Sequence, residues 1–376
     1  MRISKPTLIL DEEQAKSNIK KMADKAKKHN LRFRPHFKTH QSADIGEWFK
    51  AAGVNSITVS SVSMACYFAK YGWQDITIAF PYNPLEFNEI DELASRGVKL
   101  NVLIENQESI DFINKDSNAF LGAYIKIDTG NCRTGVPADD IHSIKKLVDS
   151  INTSKKIDFK GFLTHSGHTY NAANKSEIIE IHKASLNQMY YLKERFGGGI
   201  SIGDTPSCSI AEEFSGVNEI RPGNFVFYDL MQYQLGSCSL NKIAVVVACP
   251  IVAKHTERSE IVVYGGAIHF SKEYIFINGI KIYGQPVWFN AEKSFSADYG
   301  SRSFDFSIGE KMSIIESSYL KYLSQEHGII KASEEYFNRA KIGELAYIVP
   351  VHSCLTANLL KEYMLSDGRT VKMMNL

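Results

Sequence analysis

Leu31-Arg-Phe-Arg-Pro-His-Phe-Lys-Thr-His40 is the stretch on which the reading of this chain turns. Leu31-Arg32-Phe33-Arg34 is short and strand-like, and Pro35 stops it because proline cannot donate to a ladder. A polar loop carrying Lys38 follows, and Ser42 then opens a helical pattern closed by Gly53. The same strand–loop–helix unit recurs downstream. Asp11 caps a helix running to about Asn30, Gly72 follows Ser63 to Tyr71, and Gly97 follows Leu85 to Arg96. The expected strands are Leu31–Arg34, Ile57–Ser60, Ile76–Phe80, Lys99–Ile104, Leu121–Asp128, Phe159–Thr164, Ile200–Ile202 and Glu219–Arg221. Eight strands with intervening helices predict an α/β fold, a (β/α)8 TIM barrel, over residues 10–235. An open doubly wound sheet is the competing assignment.

From about Leu240 the texture changes. Val245-Val-Val247, Glu260-Ile-Val-Val-Tyr264 and Ile275-Phe-Ile-Asn-Gly279 are strand and turn signals, and Asn278-Gly279 suits a hairpin turn. A β-rich C-terminal domain is therefore expected over residues 240–376, with residues 1–9 joining it. No Pro/Ser-rich linker separates the two parts.

Composition narrows the function. The chain has 376 residues, 44% of them apolar, and 43 basic against 42 acidic residues give a formal charge of +1. That balance builds no basic field, so neither nucleic acid nor an anionic membrane is expected as a partner. The longest apolar run, Ile243 to Ala253, is eleven residues and contains Pro250, too short to span a bilayer. Six scattered cysteines read as reduced thiols, and the N-terminus lacks the apolar core of a signal peptide, so a cytoplasmic protein is expected.

On a β/α barrel, chemistry sits on the loops after the strands. The polar clusters fall there: Lys38 after the first strand, Asp128-Thr-Gly-Asn-Cys-Arg133 after the fifth, and His165-Ser-Gly-His-Thr-Tyr170 after the sixth. Gly203-Asp-Thr205-Pro-Ser207 follows the seventh and Arg221-Pro-Gly223-Asn224 the eighth. A lone lysine is ordinarily a solvated charge, yet at such a mouth Lys38 is placed to hold a cofactor aldehyde as a Schiff base. Barrels commonly bind phosphate after strands seven and eight, and Thr205, Ser207, Gly223 and Asn224 supply small hydroxyls and backbone N–H groups. A phosphate opposite such a lysine outlines pyridoxal 5′-phosphate.

Arg34-Pro-His-Phe-Lys-Thr-His40, Asp128 to Gly135, His165 to Tyr170, Arg221 to Asp229 and Pro350-Val-His-Ser-Cys354 together resemble the D-serine dehydratase/D-threonine aldolase family, fold-type III pyridoxal-phosphate enzymes with the alanine racemase barrel. The resemblance implies a homodimer, a small D-amino acid as substrate and Lys38 as the Schiff-base lysine. It also implies Arg133 near the cofactor's phenolic oxygen and Arg221 facing the pyridine nitrogen. Because a guanidinium cannot accept a proton, that nitrogen should stay unprotonated, a poor electron sink that needs help from another group.

His352 and Cys354 offer that help. Two residues apart on an extended strand, they would share a face, and imidazole with thiolate suits Zn²⁺ ahead of Mn²⁺ or Mg²⁺. In isolation His-x-Cys is more often packing; in the family resembled, the pair binds the catalytic metal. The expected activity is elimination of water from D-serine or a related D-3-hydroxy amino acid, with Lys38 as base and His165 and Tyr170 lining the pocket. Retro-aldol cleavage and a non-catalytic pyridoxal-phosphate carrier are the alternatives. Ser324-Gln-Glu-His-Gly328 also resembles a family segment, without an assigned role.

Overall fold

The structure is a computed structural model that describes residues 3–289 and 312–374. Residues 290–311, inside the span expected for the second domain, lie outside the described residues. The chain divides into two compact units: one from Lys20 to Gly223, the other from the described residues up to Ile19 together with those from Asn224 onward.

The first unit is the barrel. Its parallel strands are β2 (Arg32–Phe33), β3 (Ile57–Val59), β4 (Asp75–Pro81), β5 (Lys99–Ile104), β6 (Leu121–Asp128), β8 (Ile157–Thr164), β9 (Gly199–Ile202) and β10 (Glu219–Ile220). They run in the order β2-β10-β9-β8-β6-β5-β4-β3, with the two-residue β7 (Val136–Pro137) beside β6. A parallel bridge between His36 and Thr58 closes the ring. Phe37 N–H donates to Thr58 O at 2.8 Å, and Thr58 N–H donates to Pro35 O at 2.9 Å. The closing seam is thus the stretch that carries Lys38.

Phe37 opens a turn, closed by Gln41 N–H donating to Phe37 O at 2.9 Å, that buries Phe37 and leaves Lys38 outside. Phe37 is fully buried, between Phe49, Phe68 and Trp73 at ring separations of 4.9, 4.9 and 5.0 Å. Lys38 is consequently turned outward and exposed. The helix signals read correctly: Asp11 Oδ1 accepts from Gln14 N–H at 2.9 Å, and Gly53, Gly72 and Gly97 all take positive φ at helix ends.

The second unit is built on β11 (Val245–His255), eleven residues long where the sequence suggested three. Its first half pairs with β1 (Thr7–Leu10) and β19 (Leu345–Pro350). A bulge between Ile251 and Ala253 turns its second half onto β12 (Glu260–Tyr264). One strand thereby serves two parts of the sheet, because a bulge re-aims the ladder. Asn278 and Gly279, both at positive φ, form the expected hairpin turn. The unit is less purely β than its sequence suggested: helices Glu334–Arg339 and Ser353–Leu360 also pack here.

His40 is fully buried against Phe37, 4.3 Å between centroids, and burial pushes its imidazole down to about 3. The folded value lies below the ordinary histidine value of 6.5, so under pH 6.5 the unfolded chain takes a proton that the folded chain refuses. The stability present above pH 6.5 is lost as pH falls towards 3, about 2 kcal/mol of it by pH 5. His40→Asn keeps an acceptor for the Ser42 N–H, 3.1 Å away. Urea midpoints at pH 7 and pH 5 should converge in that variant by about the same 2 kcal/mol; an unchanged pH dependence would refute a neutral buried His40.

Candidate active site

In the barrel unit the loops after the strands converge on Lys38. Its backbone N–H donates to His36 Nδ1 at 3.3 Å, which fixes His36 as an acceptor at that nitrogen. The loop after β10 leans on the lysine loop: His36 N–H donates to Pro222 O at 2.9 Å. Gly223 permits the approach, since a Cβ there would stand 2.8 Å from His36 O and 3.1 Å from Thr39 Oγ1.

His165 donates from Nδ1 to the Gly203 carbonyl, so its free valence is Nε2. Its imidazole is held neutral, well below the usual histidine range, first by burial and then by the charge of Lys38, with Arg133 and Arg221 adding to it. His36 is lowered by burial and by Lys38, Arg221, His165 and Arg133. These couplings bring the sequence-predicted residues Lys38, Arg133, His165 and Arg221 together at one end of the barrel. Tyr170 joins them, its ring 6.4 Å from that of His165 and its hydroxyl accepting from Thr205 N–H at 3.4 Å.

Arg221 is 3% exposed. Nε donates to Ser201 Oγ at 2.6 Å and one Nη donates to Thr164 O at 2.6 Å. Burial pulls its pKa down to about 10, against the opposing charge of Glu219, so it remains a cation at neutral pH.

The seventh and eighth loops fit a phosphate. Thr205 Oγ1 and Ser207 Oγ are buried without a hydrogen-bond partner among the described residues. Buried hydroxyls are rarely left so, and two of them two residues apart are what a bound phosphate would satisfy. Asp204 sets them in place by capping their short helix, its Oδ1 accepting from Ser207 N–H at 2.8 Å.

In the other unit His352 and Cys354 meet, though not on a strand. β19 ends at Pro350, His352 is the extended residue before a helix, and Cys354 lies in the first turn of Ser353–Leu360. A strand's two-residue alternation therefore does not bring them together; the strand-to-helix turn does. Burial opposes protonation of His352, but its hydrogen bond to Cys354 and the charges of Cys354, Asp229 and Glu273 outweigh this and raise it to about 9. The side chain of Asn224 points here: its Nδ2 donates to Asp229 Oδ2 at 2.6 Å, Ser353 Oγ at 3.0 Å and Cys354 Sγ at 3.5 Å. Among the described residues no three His, Cys, Asp or Glu side chains converge as a metal cage. An ion here would have the imidazole–thiol pair as protein ligands and leave positions open, a donor set suited to zinc.

Sequence reasoning missed Asp229, whose carboxylate accepts from Ser353 N–H at 2.9 Å, and buried Lys126, pushed down to about 8 by burial and by Arg221. Lys126 interrupts the apolar run Leu121-Gly-Ala-Tyr-Ile-Lys126-Ile, which was the available signal.

The comparisons agree with this division. Residues 10–230 match the family model "Alanine racemase, N-terminal domain", and residues 244–366 match "Putative serine dehydratase domain". A D-serine dehydratase of Dictyostelium discoideum is 30% identical over 390 residues, covering 96% of this chain and 93% of that protein. The solved D-threo-3-hydroxyaspartate dehydratase from Delftia sp. HT23 superposes with a TM-score of 0.86 at 23% identity, over 100% of this chain and 98% of that one. A cysteine-to-alanine mutant of that dehydratase, described as the metal-free form, superposes equally, with the same identity and coverage.

Thr205→Ala and Ser207→Ala should each weaken binding of pyridoxal phosphate by roughly tenfold or more, the loss of one hydrogen bond to a charged group. Titration of the cofactor-free protein checks this, and binding of unphosphorylated pyridoxal should not change. Equal losses for both ligands would remove the phosphate from these hydroxyls.

Proposed function

This chain belongs to the D-serine dehydratase family, and we propose that it eliminates water from D-serine or a closely related D-3-hydroxy amino acid, leaving a 2-oxo acid and ammonia. The observation that carries this reading is the pairing of His352 with Cys354 at the head of a helix anchored by Asp229. An aldehyde-binding lysine alone would serve many reactions; the imidazole–thiol pair is what a reaction with a poor leaving group adds.

We assign pyridoxal phosphate to Lys38, with Thr205, Ser207 and Gly223 at its phosphate, and zinc to His352 and Cys354. The same reading assigns the cofactor to residues 10–235 and the metal ligands to 240–376. When bound, pyridoxal phosphate supplies an electron sink for the electrons left at Cα, and zinc supplies a Lewis acid for the departing β-hydroxyl. The chain's own groups do the rest. The amine of Lys38 takes the Cα proton. His165, neutral with Nδ1 tied to Gly203, presents Nε2 to the pocket, where it can accept but not repel a cation. Tyr170 carries a hydroxyl proton beside it. Arg221, a cation that cannot take up a proton, would leave a ring nitrogen bound beside it unprotonated. That weak sink is why a Lewis acid at the β-oxygen matters.

A cytoplasmic homodimer completes the proposal. All six cysteines are free thiols, which suits a reducing compartment. No described helix is long and apolar enough to cross a membrane.

A panel of D-amino acids, assayed with and without chelator, tests the reaction. D-serine should give pyruvate and ammonia, and chelation should slow this on the order of 10³-fold without releasing the pyridoxal phosphate. Cys354→Asp should shift metal preference from Zn²⁺ towards Mn²⁺ or Mg²⁺. Glycine and acetaldehyde from D-threonine, with no pyruvate from D-serine, would make the enzyme an aldolase. Full activity with less than about a tenth of an equivalent of divalent metal would remove the Lewis acid from the reaction.

Lys38→Ala should abolish turnover and covalent capture of the cofactor on borohydride reduction. Mass analysis finding the cofactor on another lysine would refute the assignment.

A further inference from the structure

Below Arg221 the barrel interior holds a hydrogen-bond chain that the proposed chemistry does not use. Arg34 Nε donates to Glu219 Oε2 at 2.6 Å, and Ser201 Oγ donates to Glu219 Oε1 at 2.7 Å. Arg221 Nε donates to that same Ser201 Oγ at 2.6 Å. Arg34, Ser201, Glu219 and Arg221 are 1, 0, 2 and 3% exposed, so water does not stand in for any of these contacts.

The direction of each bond is forced. Both guanidiniums only donate, and a hydroxyl has a single proton. With Arg34 on one oxygen of Glu219, the Ser201 proton goes to the other, and only a lone pair of Ser201 is left to face Arg221 Nε. Arg34 does not need Ser201: its Nη1 also donates to Asp75 Oδ1 at 2.6 Å. The hydroxyl's distinct contribution is at Arg221, where the Nε bond fixes rotation about Cδ–Nε. With the Nη bond to Thr164 O, it determines the plane of the guanidinium.

We infer that Ser201 and Glu219 are positioning residues for Arg221, a two-member relay that orients its guanidinium towards the cofactor ring. The inference rests on the proposed function for what Arg221 faces, and on the barrel geometry alone for how it is held. Glu219→Gln would break the relay by its chemistry. With the amide oxygen on Arg34, the NH2 donates to Ser201, which must then accept from both it and Arg221 and loses the carboxylate that took its own proton and fixed its orientation.

The test compares Ser201→Ala, Ser201→Thr and Glu219→Gln. Ser201→Ala buries no new charge, so it keeps the question open to experiment if Glu219→Gln misfolds. In cofactor-free protein the Arg221 Nε–H resonance, assigned by its disappearance in Arg221→Lys, should shift in Ser201→Ala. Its exchange with water should accelerate there by roughly tenfold, the loss of one hydrogen bond to a charged donor. Ser201→Thr should resemble the wild type. In pyridoxal-phosphate-loaded protein, Ser201→Ala should move the pH profile of the cofactor absorption band and lower kcat with KM little changed, and Ser201→Thr should restore both. An unmoved Nε–H signal in Ser201→Ala, or Ala and Thr variants that behave alike, overturns the relay. A wild type that takes up no pyridoxal phosphate overturns the functional reading instead, while the Arg221 resonance still decides the relay.

Discussion

A guanidinium sealed inside a barrel cannot be left without acceptors, and Arg34 imposes that constraint on this chain. It donates to Glu219 and to Asp75 at 2.6 Å each, from a position 1% exposed. Glu219 begins β10 and Asp75 begins β4, so one side chain at the end of β2 answers for strands on its two sides. Such a network is weak evidence for net stability, because desolvation offsets much of the attraction. Removing one partner nonetheless costs about 3–5 kcal/mol by stranding a charge. The arrangement is therefore specific before it is stabilising. It ties the start of the seam to strands on both of its flanks, and Lys38 follows directly on that seam.

Two aspartates do comparable work at the two candidate sites. Asp204 caps the short helix bearing Ser207 and also accepts from Thr169 Oγ1 at 3.0 Å. Asp229 caps the next short helix through Gln232 N–H at 3.0 Å and receives Ser353 N–H and Asn224 Nδ2. Each carboxylate satisfies orphan helix N–H groups and, with its remaining lone pairs, positions groups needed for chemistry. Capping and the placing of these side chains are one act here.

The electrostatics of the barrel mouth follow from the cations gathered there. Lys38, Arg133 and Arg221 all disfavour a proton on His36 and His165, and burial acts in the same sense. Both imidazoles stay neutral, which suits the proposed phosphate and carboxylate ligands: fixed positive charge for the ligand, hydrogen-bonding groups that do not compete for it.

Much of this was legible in the residues. Strand–helix alternation, glycine stops and the apolar periods required the barrel; Lys99–Ile104 and Leu121–Asp128 appear with the expected bounds. The proposed site, Lys38 with Arg133, His165, Tyr170, Thr205, Ser207 and Arg221, was also read from local motifs, since loops after barrel strands share one end whatever packs below them. What only the tertiary structure decided are relations between residues far apart in the chain. Ser201 and Glu219 look like ordinary strand residues until the barrel closes and leaves them between two arginines. Asn224 adjoins Gly223 in sequence, but its side chain goes to Cys354, because Asp229 and Ser353 offer it partners there. His352 and Cys354 meet across a strand-to-helix turn. The chain's periodicity could not foresee that turn, because hydrogen bonds from Ser353 to the Asp229 carboxylate, more than a hundred residues earlier, hold its start.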